Sequence, residues 1–423
     1  MELAPDNYHK VRRLMEKGVH IPNPLSLYIG DEVDVERISG DGVRIYPGCR
    51  IYGRDTVIAA GAQLGREGPA TIEDCQIGPG VELKAGYFKK SVFLEKAGMG
   101  SGAHVREGCI LEEEANGAHC VGLKQTILFP FVTLGSLINF CDCLMAGGTS
   151  RRDHSEVGSS YIHFNFTPSG DKTTPSLIGD VPRGVMLNQP AIFLGGQGGI
   201  VGPLRLEYGN VAAAGTVLRK DCLERNKLII TKTYRAGIFP FMPDHYSGLL
   251  RLLENNIIYL ANLAALEQWY IHVRQPFFHA QDLGDLIYTG ALDKLDLAKK
   301  ERIKRLRIMA EKVHASLKQH GDHVSGKDGK EEFCNAIEDL SGLFSGEIIG
   351  KIGLKAREEF LEAVRKHGPA GKGTYVQTVQ GLAVEASEKG TEWLQKIVDA
   401  VSLKAAALMP SMNLFKDLRR DLR

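Results

Sequence analysis

Apolar residues recur every six positions along the first half of this 423-residue chain. Ile45, Ile51 and Val57 begin the series. It returns as Ile77–Leu83, Met99–Val105–Leu111, Val121–Ile127 and Ile200–Leu206–Ala212–Leu218, with small or turn-forming residues between. A period of six fits neither an amphipathic helix, which repeats every 3.6 residues, nor a half-buried strand, which repeats every two. It fits a β-solenoid, a parallel β-helix of hexapeptides in which each short strand and turn stacks its inward side chain on the next coil.

Glycine usage divides the chain. Of 48 glycines, 33 lie in residues 1–240 and 15 in 241–423. The predicted organisation is an N-terminal helix and linker over 1–26, a β-helix over 27–240 and an α-helical domain over 241–423. A break falls near IFPFMPDHYSG (238–248), where Pro240 and Pro243 discourage regular structure. Residues 5–20 read as an amphipathic helix with Val11, Leu14 and Met15 on one face. Leu249, Leu253, Ile257, Leu260, Leu263 and Trp269 form an apolar stripe on a long helix ended by Pro276. Further helices are expected at 296–319, 331–347, 355–367 and 374–407, with linkers at 320–330 and 367–373. This half reads as a bundle serving assembly, capping or a protein partner.

Lys plus Arg is 52 and Asp plus Glu 51, so the overall charge gives no reason to expect nucleic acid or an anionic membrane. The C-terminal NLFKDLRRDLR reads as a solvated helix end. The first residues lack the apolar core of a signal peptide, and no stretch is apolar for the ~18 residues of a membrane span. A cytoplasmic protein is expected. Its eight cysteines are scattered among apolar neighbours, which fits free, mostly buried thiols. Cys141-x-Cys143 lacks a second pair at ligand spacing, so no metal site is expected there.

Two stretches break the hexad: the polar 145–172 and the glycine-dense LGGQGGIVG (194–202). Interruptions of a rigid solenoid are where function is commonly placed. The first carries Arg151, Arg152, Asp153, His154 and His163. Either histidine can serve as a general base, Asp153 can orient an imidazole, and the cations can hold a phosphate. The same RRDHSE text reads equally as a solvated loop with internal ion pairs. The glycine run reads as a backbone cradle for a phosphate or pantetheine, or as a turn.

SYIHFNFTPSGDKTTPSLIGD (160–180), AHCVGLKQTILFPFVTLGS (118–136) and NVAAAGTVLRKD (210–221) carry a more specific signal. They resemble the acetyltransferase half of the bifunctional UDP-N-acetylglucosamine pyrophosphorylase/glucosamine-1-phosphate N-acetyltransferase family, over about half the chain. The resemblance implies a left-handed parallel β-helix, a homotrimer with sites between subunits, acetyl-CoA as co-substrate, and an amino-sugar phosphate or nucleotide sugar as acceptor. It places Lys124, Asn165 and Lys172 on the substrate, with Arg151 and Arg152 as further cations. It sets Ala213, Ala214, Gly215 and Thr216 against the CoA, and Gly196 of the glycine run and Asn188 are further cofactor-binding candidates. The sequence departs from the family in three places. The glycine-rich start of the pyrophosphorylase half is absent, so these residues give no basis for uridylyl transfer. The family's catalytic histidine is replaced by Asn139 or Phe140 in GSLINFCDC, and neither takes a proton near neutral pH as imidazole does. Phe166 and Thr167 stand where the family has a tyrosine and an acid.

A non-catalytic scaffold that binds a sugar nucleotide, with the helical domain contacting a partner, is the alternative. A further one is zinc-dependent hydration as in β-helical carbonic anhydrases, drawing on His104, His119, His154 and His163, whose spacing does not match that pattern.

Overall fold

A computed structural model describes residues 5–231, 237–238, 246, 248–320, 326–367 and 373–421. Residues 28–229 form a β-solenoid of parallel strands with three faces. The third face is a sheet of ten strands from Arg44–Ile45 to Leu228–Ile229. The first and second faces join into one sheet because Gly122–Leu128 and Asn139–Met145 each bend around the edge between them. The bends fall at Gln125 (φ 50°) and Asp142 (φ 60°).

The register shows which side chains point inward. On the first face Ile51, Ile72, Phe88, Val105, Leu123 and Phe140 stack in succession. On the second, Ile58, Ile77, Phe93, Leu111, Leu128, Met145, Ile178 and Leu206 do the same. On the third, Ile45, Leu64, Leu83 and Met99 continue it. Residues two before the third-face strands turn the corner at positive φ: Gly42, Gly61, Gly80, Lys96, Glu114, Phe131, Gly209 and Asn226.

The hexad reading needs one correction. Val57 and Ile127 are out of step with the inward file, because the step from first to second face is five to seven residues. By strand alternation they lie with Val92, Ile110, Leu144 and Leu177 on the outer side of the second face. All six are nevertheless buried, because the chain's own helices cover that face. Each such side chain contributes roughly 1.5–3 kcal/mol.

The helices are α1 (Pro5–Glu16), α2 (Val181–Gly184), α3 (Leu249–Trp269), α4 (Gln275–His279), α5 (Gly284–His320), α6 (Lys327–Gly342), α7 (Gly346–Ile349), α8 (Leu354–His367), α9 (Tyr375–Gln380), α10 (Val384–Leu408) and α11 (Lys416–Asp421). α1 packs on the first coil through Val11 and Leu14, while Met15 is exposed rather than on that face. The stripe of α3 is buried as expected. Pro276 does not end a helix. α3 runs through one π-turn, Tyr270–Arg274, and Pro276 occupies the first turn of α4, where a missing N–H costs no bond. α5 starts twelve residues earlier than expected, and its Gly290 lets the helix lie against Gln76 of the second face. The helix expected over 374–407 is two, α9 and α10. Most of the 238–248 boundary and the middle of the linkers at 320–330 and 367–373 fall outside the described residues, and Lys327–Lys330, expected as linker, open α6.

α3 and α5 lie across the second face. Polar clamps hold them: Arg302 donates to Asp142 (2.7 Å) and to the Lys172 carbonyl (3.1 Å), Tyr270 OH donates to Glu112 (2.6 Å), and Asn256 donates to the Thr173 carbonyl (3.1 Å).

The two expected interruptions are redrawn. Coils continue through 145–172 as the strands Glu156–Val157 and Ile162–Phe164. The departures are a hairpin (Gly148–Ser150 with Asp153–His154), the connection 165–175, and a segment from 179 to 192 containing α2. LGGQGGIVG is regular coil, with strands Phe193–Leu194 and Gly199–Val201 in step. Its glycines answer to packing: a Cβ on Gly195 would sit 2.4 Å from the Ala214 amide, and one on Gly202 2.1 Å from the Thr174 carbonyl.

Candidate functional site

Among the described residues, α3 and α5 lie on the second face, and α1 packs at the first-face strand Tyr28–Ile29 of the first coil. On the outer side of the first face, His104, Gly122 and Asn139 occupy one file in adjacent coils. Two strand spacings, ~9.5 Å, separate the His104 and Asn139 rungs. With no side chain at Gly122 between them, a notch opens, lined also by Gly102, Arg106, Cys120, Lys124, Leu137 and Cys141. Its volume is about 460 Å³. His104 leans on the Tyr87 ring at 5.2 Å. Lys124 pairs with Glu107 at 2.8 Å, and Arg106 stands 3.8 Å from the same carboxylate. Burial is the largest influence on the Glu107 carboxyl and works to raise it, but the Lys124 hydrogen bond, a backbone hydrogen bond and the charges of Lys124 and Arg106 together bring the net shift down.

Cys141 lies at the end of the notch. Burial, with Asp142 adding, pushes its thiol up to about 11, against the opposing pull of Lys124, Arg106 and Lys172. It is therefore a thiol and not a thiolate at neutral pH. Lys124 and Arg106 line the notch, whereas Lys172 acts on Cys141 only through its charge and is not part of the notch lining. Asn165 follows the next outer strand, Ile162–Phe164, and is half-buried. The bend at Asp142 separates Cys141 from Cys143, which points inward and is buried, so the pair does not share a metal-facing side.

The other expected site residues go elsewhere. Arg151 lies at the edge between the second and third faces, where it donates to the carbonyls of Glu114 (3.2 Å) and Phe131 (3.0 Å) and to Thr133 Oγ1 (2.9 Å). It holds the hairpin to the coil corners. Arg152 is exposed beside it. His154 has Nδ1 3.0 Å from the Arg151 carbonyl and Nε2 3.8 Å from Glu156. Lys172 is at the opposite margin of the second face, so Arg151, Arg152 and Lys172 do not converge. His163 is inside the solenoid: it takes the inward position between Phe140 and Ile200, is 2% exposed, and has Nε2 2.8 Å from Ser176 Oγ. Burial pushes its imidazole down to about 3. A base or zinc ligand must meet its partner, and this one faces only the core.

Four of the expected CoA residues share an edge with the notch. Between the third and first faces, corner amides bond in a ladder: Cys120 to Ser101, Leu137 to His119, Ser160 to Ser136, Gln197 to Ser159, Gly215 to Gly196. Ala214 and Gly215 are exposed, and a Cβ on Gly215 would meet nothing within 4 Å. Gly196, Ala213, Ala214 and Gly215 thus make a smooth strip three coils above the notch, ~14 Å along the edge, while Thr216 is buried and does not belong to it. Asn188 is separate, near the hairpin, where it accepts from Gln189.

No protein-family profile matches the chain. The chain is similar to the bifunctional protein GlmU. That of Thermotoga maritima is 27% identical over 213 residues, 50% of this chain and 42% of the relative. Those of Kineococcus radiotolerans and Pelobacter propionicus are 27% and 28% identical over 218 and 223 residues, covering 39% and 43% of their lengths. The chain thus spans about two fifths of the length of these curated relatives. Match and solenoid together support a left-handed β-helix of the GlmU acetyltransferase type.

In the sequence His104 stands out only as one of four histidines considered for zinc-dependent hydration, and Arg106 carries no signal. H-V-R becomes two outward side chains around one inward only when the register is known. Among the described residues no cluster of three His, Cys, Asp or Glu is placed to hold a metal ion, and no helix is long and apolar enough to cross a membrane.

Proposed function

We propose that the chain is an acyltransferase-like solenoid of amino-sugar metabolism. The first-face notch takes an amino-sugar phosphate or nucleotide sugar, and acetyl-CoA lies along the shared edge. The observation that carries this reading is the notch itself, where Lys124 and Arg106 stand with Cys141 and Asn139, across Gly122 from His104. The two cations suit a phosphate through charge-assisted bonds. Where the family's imidazole is replaced by Asn139, His104 is the imidazole that faces the same space. It would take the amine proton as the nitrogen attacks the thioester, and CoA would leave as the thiol. Acetyl-CoA itself supplies the activated acyl group. The notch is completed by a second subunit in a homotrimer.

The test uses glucosamine 1-phosphate and acetyl-CoA, with thiol release as the readout. His104→Asn is expected to leave sugar-phosphate affinity within about twofold and to lower turnover about a hundredfold or more, because a base acts in the transition state more than in binding. Gly122→Leu fills the notch and should abolish both. The second reading, a binding scaffold without turnover, draws support from Asn139 itself. It is favoured if UDP-N-acetylglucosamine binds, Lys124→Ala weakens it, and no thiol is released. If neither sugar ligand binds, the notch is not the site.

A further inference from the structure

A cleft of about 580 Å³ lies where the last coils of the second face meet α3, α10 and α11. It shares no lining residue with the notch, so its test and that of the function proposed there fail independently. Leu177, Pro182, Ile258, Val398 and Phe415 give it apolar walls. Leu223 and Leu250 belong to the same lining and are 56% and 41% exposed. Apolar side chains left in water beside a concave apolar surface mark a place where a ligand gains by covering them.

The charges of the lining are unequal. Asp180, Glu207, Glu254, Asp399 and Asp417 supply five carboxylates against the three cations Arg183, Arg205 and Lys416. Arg183 is committed: its Nε donates to Asp180 (2.7 Å) and its Nη2 to Glu207 (2.7 Å). Arg205 is committed to Asp221, outside the lining, at 3.0 Å. Lys416 and Asp417 are exposed neighbours on α11 and offset one another. Glu254 of α3 and Asp399 of α10 remain, both half-buried on helices that pack together. Their hydrogen bonds come from neutral groups: Glu254 accepts from the Phe415 N–H (2.8 Å) and Asp399 from the Gln395 amide (2.8 Å). Neither makes an ion pair among the described residues. Burial pushes the Asp399 carboxyl up, against the pull of the Gln395 bond. A carboxylate that water solvates poorly gains from a cation brought beside it.

We propose that this cleft binds an organic amine, with its protonated nitrogen at Glu254 and Asp399 and its hydrocarbon body along Leu177, Ile258, Val398 and Phe415. The volume and the lining, mostly apolar with a few polar groups, are those of a small-ligand pocket. A neutral head would leave both carboxylates without a counter-charge, and an anionic one would be repelled.

Calorimetric titration of the full chain with hexylamine and with phenethylamine tests this, with 1-hexanol and hexanoate as neutral and anionic counterparts of the same chain length. At least one amine should bind, with hexanol weaker by about tenfold or more and hexanoate weaker still. The double variant Glu254→Gln/Asp399→Asn keeps an acceptor for Phe415 and for Gln395. It should therefore hold its melting temperature and weaken the amine by about tenfold or more. Should that variant fail to fold, Leu250→Lys decides: it sets a tethered ammonium at an exposed lining position, and should weaken the amine without moving the melting temperature. Failure of both amines to bind, hexanol or hexanoate binding as tightly as the amine, or amine affinity unchanged in the folded double variant or in Leu250→Lys overturns the proposal.

Discussion

At the scale of single residues, the inward histidine shows how strongly position governs chemistry. His163 occupies a rung that is Val, Leu, Phe or Ile in neighbouring coils, so its imidazole is held neutral. Its folded pKa is about 3, below the ordinary 6.5. The unfolded chain therefore binds the extra proton between those values. This contribution to stability is fully present above pH 6.5 and is lost as pH falls toward 3, by no more than about 1.4 kcal/mol per pH unit. Denaturant unfolding from pH 7 to 4 should show that slope. The double variant His163→Leu/Ser176→Ala, which removes both partners of the internal bond, should show a shallower one. An unchanged slope would mean that other groups govern acid unfolding. In the sequence, H-F-N-F beside a polar stretch reads as exposed; only the register with Phe140 turns that histidine inward.

At the scale of elements, one ion pair decides how the helices seat on the solenoid. Arg302 of α5 and Asp142 at the edge of the second face are both nearly inaccessible. Burial pushes the Asp142 carboxyl up, and Arg302 is the main opposing influence. Arg302→Leu should cost about 3–5 kcal/mol, because it leaves a buried carboxylate uncompensated. Adding Asp142→Asn to that variant should return a good part of the loss, as read by unfolding midpoints. If Arg302→Leu alone is neutral, the clamp contributes orientation and not stability. The amphipathic pattern of 249–269 was legible because its stripe is long and uninterrupted. The start of α5 was not, because Gly290 and Thr289 weaken the helical signal while contact with the second face supplies what propensity lacks.

At the scale of the whole molecule, the placement of the helices limits how copies can associate. The second face is occupied within the chain, so a homotrimer of the kind the resemblance implies must use the first and third faces. Near the C-terminal end of the solenoid these carry exposed apolar side chains: Phe193, Val211 and Leu228 in one file, with Ile162 and Phe164 around the corner. An apolar surface of this sort commonly marks a contact. Light scattering should return three chains per particle, and Phe193→Glu with Val211→Glu should return one. A wild-type monomer would remove the subunit-completed notch from the proposed mechanism.

The solenoid was written in the sequence itself. A side chain that stacks on its equivalent in every coil must recur at the coil's own period, so Ile45, Ile51, Leu83 and Val105 announce the architecture without any long-range information. The charge balance and the resemblance of the 118–221 stretches were equally local properties. What only the tertiary structure decided is which of those coils look outward onto solvent, onto helices, or inward. Val57 and Ile127 share the hexad spacing yet lie beneath α3 and α5. His163 and His104 are both histidines on first-face strands, one sealed in the core and the other on the notch. Arg151 and Lys172 fall in one polar stretch of the sequence but belong to different edges. A corner that takes five residues instead of six flips every side chain after it, and the sum of such steps can be read only once the coils are stacked.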